Sequence, residues 1–194
     1  MTDLPRHARG YRAVELVLLA SGGLAFFAAS RTWVEATVQA KGLPPDTVAV
    51  SGTDAQPLVP ALALVVVTGA LAVLAASMRV RWIVGVLVVV VGLGAAFLVA
   101  TSGSALDDAL DDAVRISTAF TGTNAPDGQY VIVWPVLAGV SFVLAAGLGL
   151  LVIRNAGTWP TMGSRYESPS GQAKDARTED DLWSALDEGR DPTE

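Results

Sequence analysis

Cysteine is absent from the sequence, histidine occurs once and lysine twice among 194 residues. Without cysteine there is no disulfide, no thiolate metal site and no cysteine nucleophile, whichever compartment the loops face. The single histidine, His7, lies in the N-terminal tail, so no Ser/His/Asp set can be built around it. Charge is scarce as well. Asp, Glu, Lys and Arg make up 16% of the chain, 19 acidic against 13 basic, and no basic cluster stands beside stacking aromatics, which excludes a nucleic-acid partner. No P-loop is present, and the glycines of GLGAAF sit inside an apolar run where helix packing explains them better than phosphate does.

What is there is apolar sequence in long blocks, 52% of the chain by residue count. A bilayer span needs about 20 apolar residues at about 1.5 Å rise each. Four segments qualify, 13–29, 58–77, 82–101 and 131–153, and the last three carry no charge. Water cannot satisfy backbone groups at that depth, so their valine runs form helices rather than strands. The fold class expected is an all-α membrane protein, a four-transmembrane-helix bundle. An alternative for the first segment is a cleaved signal peptide, with RHARGYR as n-region and Ala28 and Ser30 as a small-x-small site. Its length and the internal Glu15 argue for a span instead.

Orientation follows from Arg and Lys near the span ends. Arg6, Arg9 and Arg12 in the tail 1–12, Arg79 and Arg81 in the short turn MRVR, and Arg154 after the last span share one side. Loops 30–57 and 102–130 hold only Arg31, Lys41 and Arg115 against eight carboxylates. Both termini are therefore expected in the cytoplasm of a multi-pass plasma-membrane protein. Trp33, Trp82, Trp134 and Trp159 fall at span ends, where the ring suits the headgroup level. Pro60 and Pro135 read as first-turn prolines. Small residues four apart should let the helices approach: Ser21, Ala25, Ala29; Thr68, Ala72, Ala76; Gly92, Ala96, Ala100; and Ser141, Ala145, Gly149. These rows fix no oligomeric state.

In the first outer loop, RTWVEATVQ and TVAVSGTD flank the breaker KGLPPD, with Trp33, Glu35, Thr37 and Gln39 alternating against Val34, Ala36, Val38 and Ala40. This predicts a small extracellular β-hairpin cap of two or three strands over the bundle. The second carries SALDDALDDAVRISTAF, a short amphipathic helix capped by Ser104. Its Asp107, Asp108, Asp111 and Asp112 offer oxygen ligands for a hard cation, but the calcium-loop glycine is missing and a solvated face is the expectation. No metal or cofactor site is assigned.

Glu15 is the ionisable residue inside a span, either a functional intramembrane carboxylate or an anchor paired with Arg12, Arg79 or Arg81. Past the last span, NAGTWPTMGSRYE should lie along the inner membrane face, with Trp159 and Tyr166 at headgroup depth and Arg165 toward phosphate or the MRVR turn. In the tail 154–194, a polar linker, SPSGQAKDAR, should be disordered. A helix near 179–188 follows, capped by Thr178 and ended by Gly189, whose Leu182, Trp183 and Leu186 form an apolar face for a cytoplasmic protein partner or for the bundle itself.

The segments SRTWV, VSGTDAQPLVPALALV, VWPVLAGVSF, WPTMGSRYE and DLWSALDEGRDPT, spread over essentially the whole chain, make it resemble the tryptophan-operon-associated transmembrane proteins of high-GC Gram-positive bacteria. The resemblance implies a membrane protein associated with tryptophan biosynthesis and carries no activity with it. Two functions compete: a non-enzymatic scaffold or accessory protein, and a transport accessory or small carrier for tryptophan or a related indole compound. A carrier usually places polar groups at mid-membrane, where this chain offers Ser, Thr, Gly and Ala. An intramembrane enzyme lacks a catalytic set.

Overall fold

A computed structural model describes residues 6–122 and 126–157, with side chains from Tyr11 onward. In chain order the elements are α1 (Arg6–Ala29), β1 (Thr32–Val38), β2 (Asp46–Ser51), α2 (Gly52–Ala55), α3 (Leu58–Ala75), α4 (Met78–Ala100), α5 (Gly103–Ile116), β3 (Gln129–Tyr130) and α6 (Val133–Asn155). Four stretches, Tyr11–Ala29, Leu58–Ala75, Met78–Ala100 and Val133–Asn155, are long and apolar enough to cross a membrane. The four-helix bundle with a small strand cap and an amphipathic loop helix is thus the architecture the hydropathy pattern calls for. Between the second and third spans the boundary differs: Met78–Arg81, read from sequence as the turn, form the first turn of α4, and the connection shrinks to Ala76 and Ser77.

α1 packs on α3 and α6, and α4 packs on the same two, so α1 and α4 face each other across the bundle diagonal. Large apolar side chains point away from this core, with Leu16, Ile83 and Phe97 each more than 60% exposed. In water such a surface would drive association; against lipid it is the solvated side. Close backbone approach holds the helices together instead. A Cβ on Gly92 would lie 2.8 Å from the Phe142 carbonyl oxygen, and one on Gly149 would lie 3.0 Å from that of Gly85, so α4 and α6 meet at van der Waals distance through glycine. Gly22 does the same for α1 on α3, 2.8 Å from Val67 Cγ2.

The small-residue rows of α1 and α6 face inward, with Ser21, Ala25, Ala29, Ser141, Ala145 and Gly149 all buried. Those assigned to the middle helices hold only in part, Ala76 and Gly92 being buried and the other members not. Thr68 and Ala72 are exposed, and α3 instead turns Ala63, Val66, Gly69, Ala70 and Val73 inward. α4 uses Gly85, Val88, Gly92, Ala95 and Val99, leaving Ala100 exposed. The exposed Thr68 hydroxyl donates to the carbonyls of Leu64 and Val65 at 3.0 Å each, which satisfies it without a neighbouring helix. Pro60 and Pro135 occupy the first turns of α3 and α6, as expected.

Every cap element joins the bundle at one end, where α1 and α4 finish and α3 and α6 begin. The strands form an antiparallel sheet in the order β2-β1-β3. Between the arms of the hairpin, the Leu43 N–H donates to the Ala40 carbonyl, and Gly42 takes φ +88, a conformation side chains disfavour. One sheet face carries Val34, Ala36, Val38 and Val50, all buried, while Glu35 and Thr37 are exposed. That apolar face is covered by α5, whose Leu106, Leu110 and Val114 are buried in the same core. The hairpin therefore closes against the loop helix. α5 starts one residue before Ser104, with Ser102 at its N-cap position; the Ser102 hydroxyl donates back to the Val99 carbonyl at 2.8 Å. Two polar contacts pin the cap: Tyr130 O–H donates to Asp107, and Ser117 O–H donates to Asp46 at 2.5 Å.

Candidate functional site

Polar groups in the bundle gather at its two ends. At mid-depth the buried hydroxyls of Ser21 and Ser141 donate to the carbonyls of Leu18 and Leu137, within their own helices, at 2.8 and 2.7 Å. A hydroxyl held that way is satisfied and offers a ligand little.

At the end away from the cap, Glu15 of α1 is 4% exposed and Arg81 of α4 is 1% exposed. They enter from the same end on diagonally opposed helices, and the guanidinium charge acts on the carboxylate. The Arg81 guanidinium carbon also lies 5.3 Å from the Tyr11 ring centroid, and the Tyr11 O–H donates to the Val73 carbonyl of α3 at 3.4 Å. Val73 and Val152 seal this layer, with Tyr11, Val14 and Val84 around them. Three helices are thereby tied by polar contacts in a low-dielectric layer, where separated charges would be costly. Of the residues that sequence reading offered as partners for Glu15, the structure brings Arg81 to it and leaves Arg12 exposed. Tyr11 was missed, since an aromatic at a span start reads as an interface anchor.

At the other end the bundle meets the cap. Trp33 was expected at the headgroup level; it is fully buried, with its indole N–H donating to the Ala28 carbonyl at 2.9 Å. A register shift between Thr32 and Val34 turns it out of the strand alternation and into the junction. Gly52 lies against its ring, and a Cβ there would also come within 2.9 Å of the Ala29 carbonyl oxygen. The Gly52 N–H donates to the Arg31 carbonyl at 3.3 Å and the Val131 N–H to the Trp33 carbonyl at 2.8 Å. Beside this seam the Arg31 guanidinium stands 4.1 Å from the Phe27 ring centroid and 5.7 Å from that of Trp134. The two rings meet edge to face, 6.0 Å apart at 75°. SRTWV, VSGTD and VWP, far apart in sequence, thus converge on one junction.

Residues 15–193 match the family of tryptophan-associated transmembrane proteins. The chain belongs to this family. It matches none of the curated proteins. Family membership and the four apolar helices together establish a multi-pass transmembrane protein with a tryptophan association.

Among the described residues no group of three or more His, Asp or Glu side chains is placed to hold a metal ion, and Asp107, Asp108, Asp111 and Asp112 are all exposed along α5. Trp159, Arg165 and Tyr166 of the juxtamembrane stretch, and Leu182, Trp183 and Leu186 of the tail helix, lie outside the described residues. So does the linker between them.

Proposed function

We propose that this member of the tryptophan-associated family is a non-enzymatic plasma-membrane scaffold or accessory protein, with both termini in the cytoplasm and the cap outside. The observation that carries this reading is the bundle interior. It is packed with Ala, Val and Gly, its mid-depth serines are tied to their own helices, and its buried ionisable side chains, Glu15 and Arg81, lie near one end. A coupled carrier needs ionisable or broken-helix groups near mid-membrane, and α3, α4 and α6 run unbroken. Orientation is supported by Arg12, Arg79 and Arg154 at the end away from the cap, against the acidic α5 at the other.

The full chain reconstituted in vesicles should pass radiolabelled tryptophan and indole no faster than protein-free vesicles do. Saturable flux would replace the scaffold with the carrier. The contact surface proposed for a cytoplasmic partner is the Leu182, Trp183 and Leu186 face of the tail. Crosslinking in native membranes should recover a tryptophan-biosynthesis enzyme with the wild-type chain and lose it with Trp183→Ala. An identical set of crosslinked proteins from both would remove the tail from this role.

A further inference from the structure

We propose that Arg31, held over Phe27 and Trp134, is a binding site for the phosphate of one phospholipid in the leaflet at the cap end. The site lies at the boundary of the span. α1 ends at Ala29, yet the guanidinium is folded back against Phe27, a ring in the last turn of the span that is 43% exposed on the lipid-facing surface. The guanidinium stands over the Phe27 ring, and its planar fork of N–H donors suits a phosphodiester, which can take two of them. Among the described residues no carboxylate pairs with Arg31, so its charge is left for a ligand.

The backbone around it is fixed as well. The Arg31 N–H donates to the Ala28 carbonyl and its own carbonyl accepts from Gly52, so the side chain departs from a rigid point between helix and sheet. Below the cation the surface stays apolar: Leu24, one turn before Phe27 on α1, is 42% exposed, and Trp134 with Leu137 lines the adjoining edge of α6. A cation at headgroup depth above a continuous apolar wall between two packed helices fits a phosphate with an acyl chain beneath it. A free anion would use only the upper part of that surface.

The test is native mass spectrometry of the full chain in detergent, titrated with phosphatidylglycerol. Wild type should retain one lipid. Arg31→Ala should weaken its retention at least tenfold, and Arg31→Lys should fall between, since an ammonium has no planar fork to lay on the rings. Arg115→Ala removes an exposed cation from the last turn of α5 and should bind as wild type does. Millimolar inorganic phosphate should not displace the lipid. Equal retention by Arg31→Ala, an equal loss in Arg115→Ala, or displacement by phosphate would each overturn the proposal. If Arg31→Ala does not fold, Phe27→Leu keeps the charge and removes one ring; retention weakened several-fold supports the site, and unchanged retention overturns it.

Discussion

Trp33 stands four residues past the end of α1, where sequence rules seat tryptophan among headgroups, and it is instead the largest fully buried side chain of the described residues. Its indole gives the Ala28 carbonyl, a helix-end acceptor that also takes the Arg31 N–H, a second hydrogen bond, while its ring fills the space over Gly52. Trp33→Phe keeps most of the ring and removes one of the two hydrogen bonds to that carbonyl, so a loss of about 0.5–1.5 kcal/mol is expected. Trp33→Ala adds a cavity, for about 3–5 kcal/mol. Equilibrium unfolding in mixed detergent micelles checks both. Arg81 was one of three partners that the sequence offered for Glu15, and the structure singles it out. The positive-inside rule counts an arginine near a span end without asking what faces it, and what faces this one is Glu15 across the diagonal. Arg81→Met should destabilise the bundle by about 0.5–3 kcal/mol, because Glu15 loses the cationic charge that acts on it. The double variant with Glu15→Leu should recover at least half of that loss; strict additivity of the two single changes would deny the coupling.

The spans were legible because about 20 apolar residues without charge have few other fates, and α5 because Leu106, Leu110 and Val114 recur at helical spacing. Which face of α3 or α4 turns inward was not, because Ala, Val and Gly occur all around both helices and small-residue rows exist on several sides. Glycine substitutions separate the faces. Gly92→Ala places a Cβ against backbone of α6 that cannot swing aside, so about 1–3 kcal/mol of destabilisation is expected. Gly94→Ala, two residues on, meets nothing within 4 Å and should be neutral or stabilising by up to about 1 kcal/mol. Thermal unfolding of the two variants should move in opposite directions or leave Gly94→Ala unmoved. In the cap, the hydrogen bond from Tyr130 to Asp107 is the main cause raising the phenol above its usual value of 10.0, followed by burial and by the Asp107 charge. The neutral phenol is the donating form. The stability it lends the cap is therefore present below pH 10 and lost as pH rises through the higher folded value. Tyrosinate absorbance should show a late-titrating group that moves down in Asp107→Asn and disappears in Tyr130→Phe.

For the whole molecule, four spans place the α3–α4 connection at one membrane face and the hairpin and α5 at the other. In the proposed orientation the arginines at one end face the cytoplasm and the acidic α5 faces outside. The absence of cysteine makes this directly measurable, since any introduced thiol is the sole one in the chain. Leu43 and Ser104 in the cap and Ser77 in the α3–α4 connection are exposed and suit cysteine, whereas the positive-φ Gly42 and Gly122 do not. On intact cells a membrane-impermeant maleimide should label Leu43→Cys and Ser104→Cys and leave Ser77→Cys unlabelled until the membrane is opened. Labelling of Ser77→Cys on intact cells, or protection of either cap position, would contradict four spans with the cap outside.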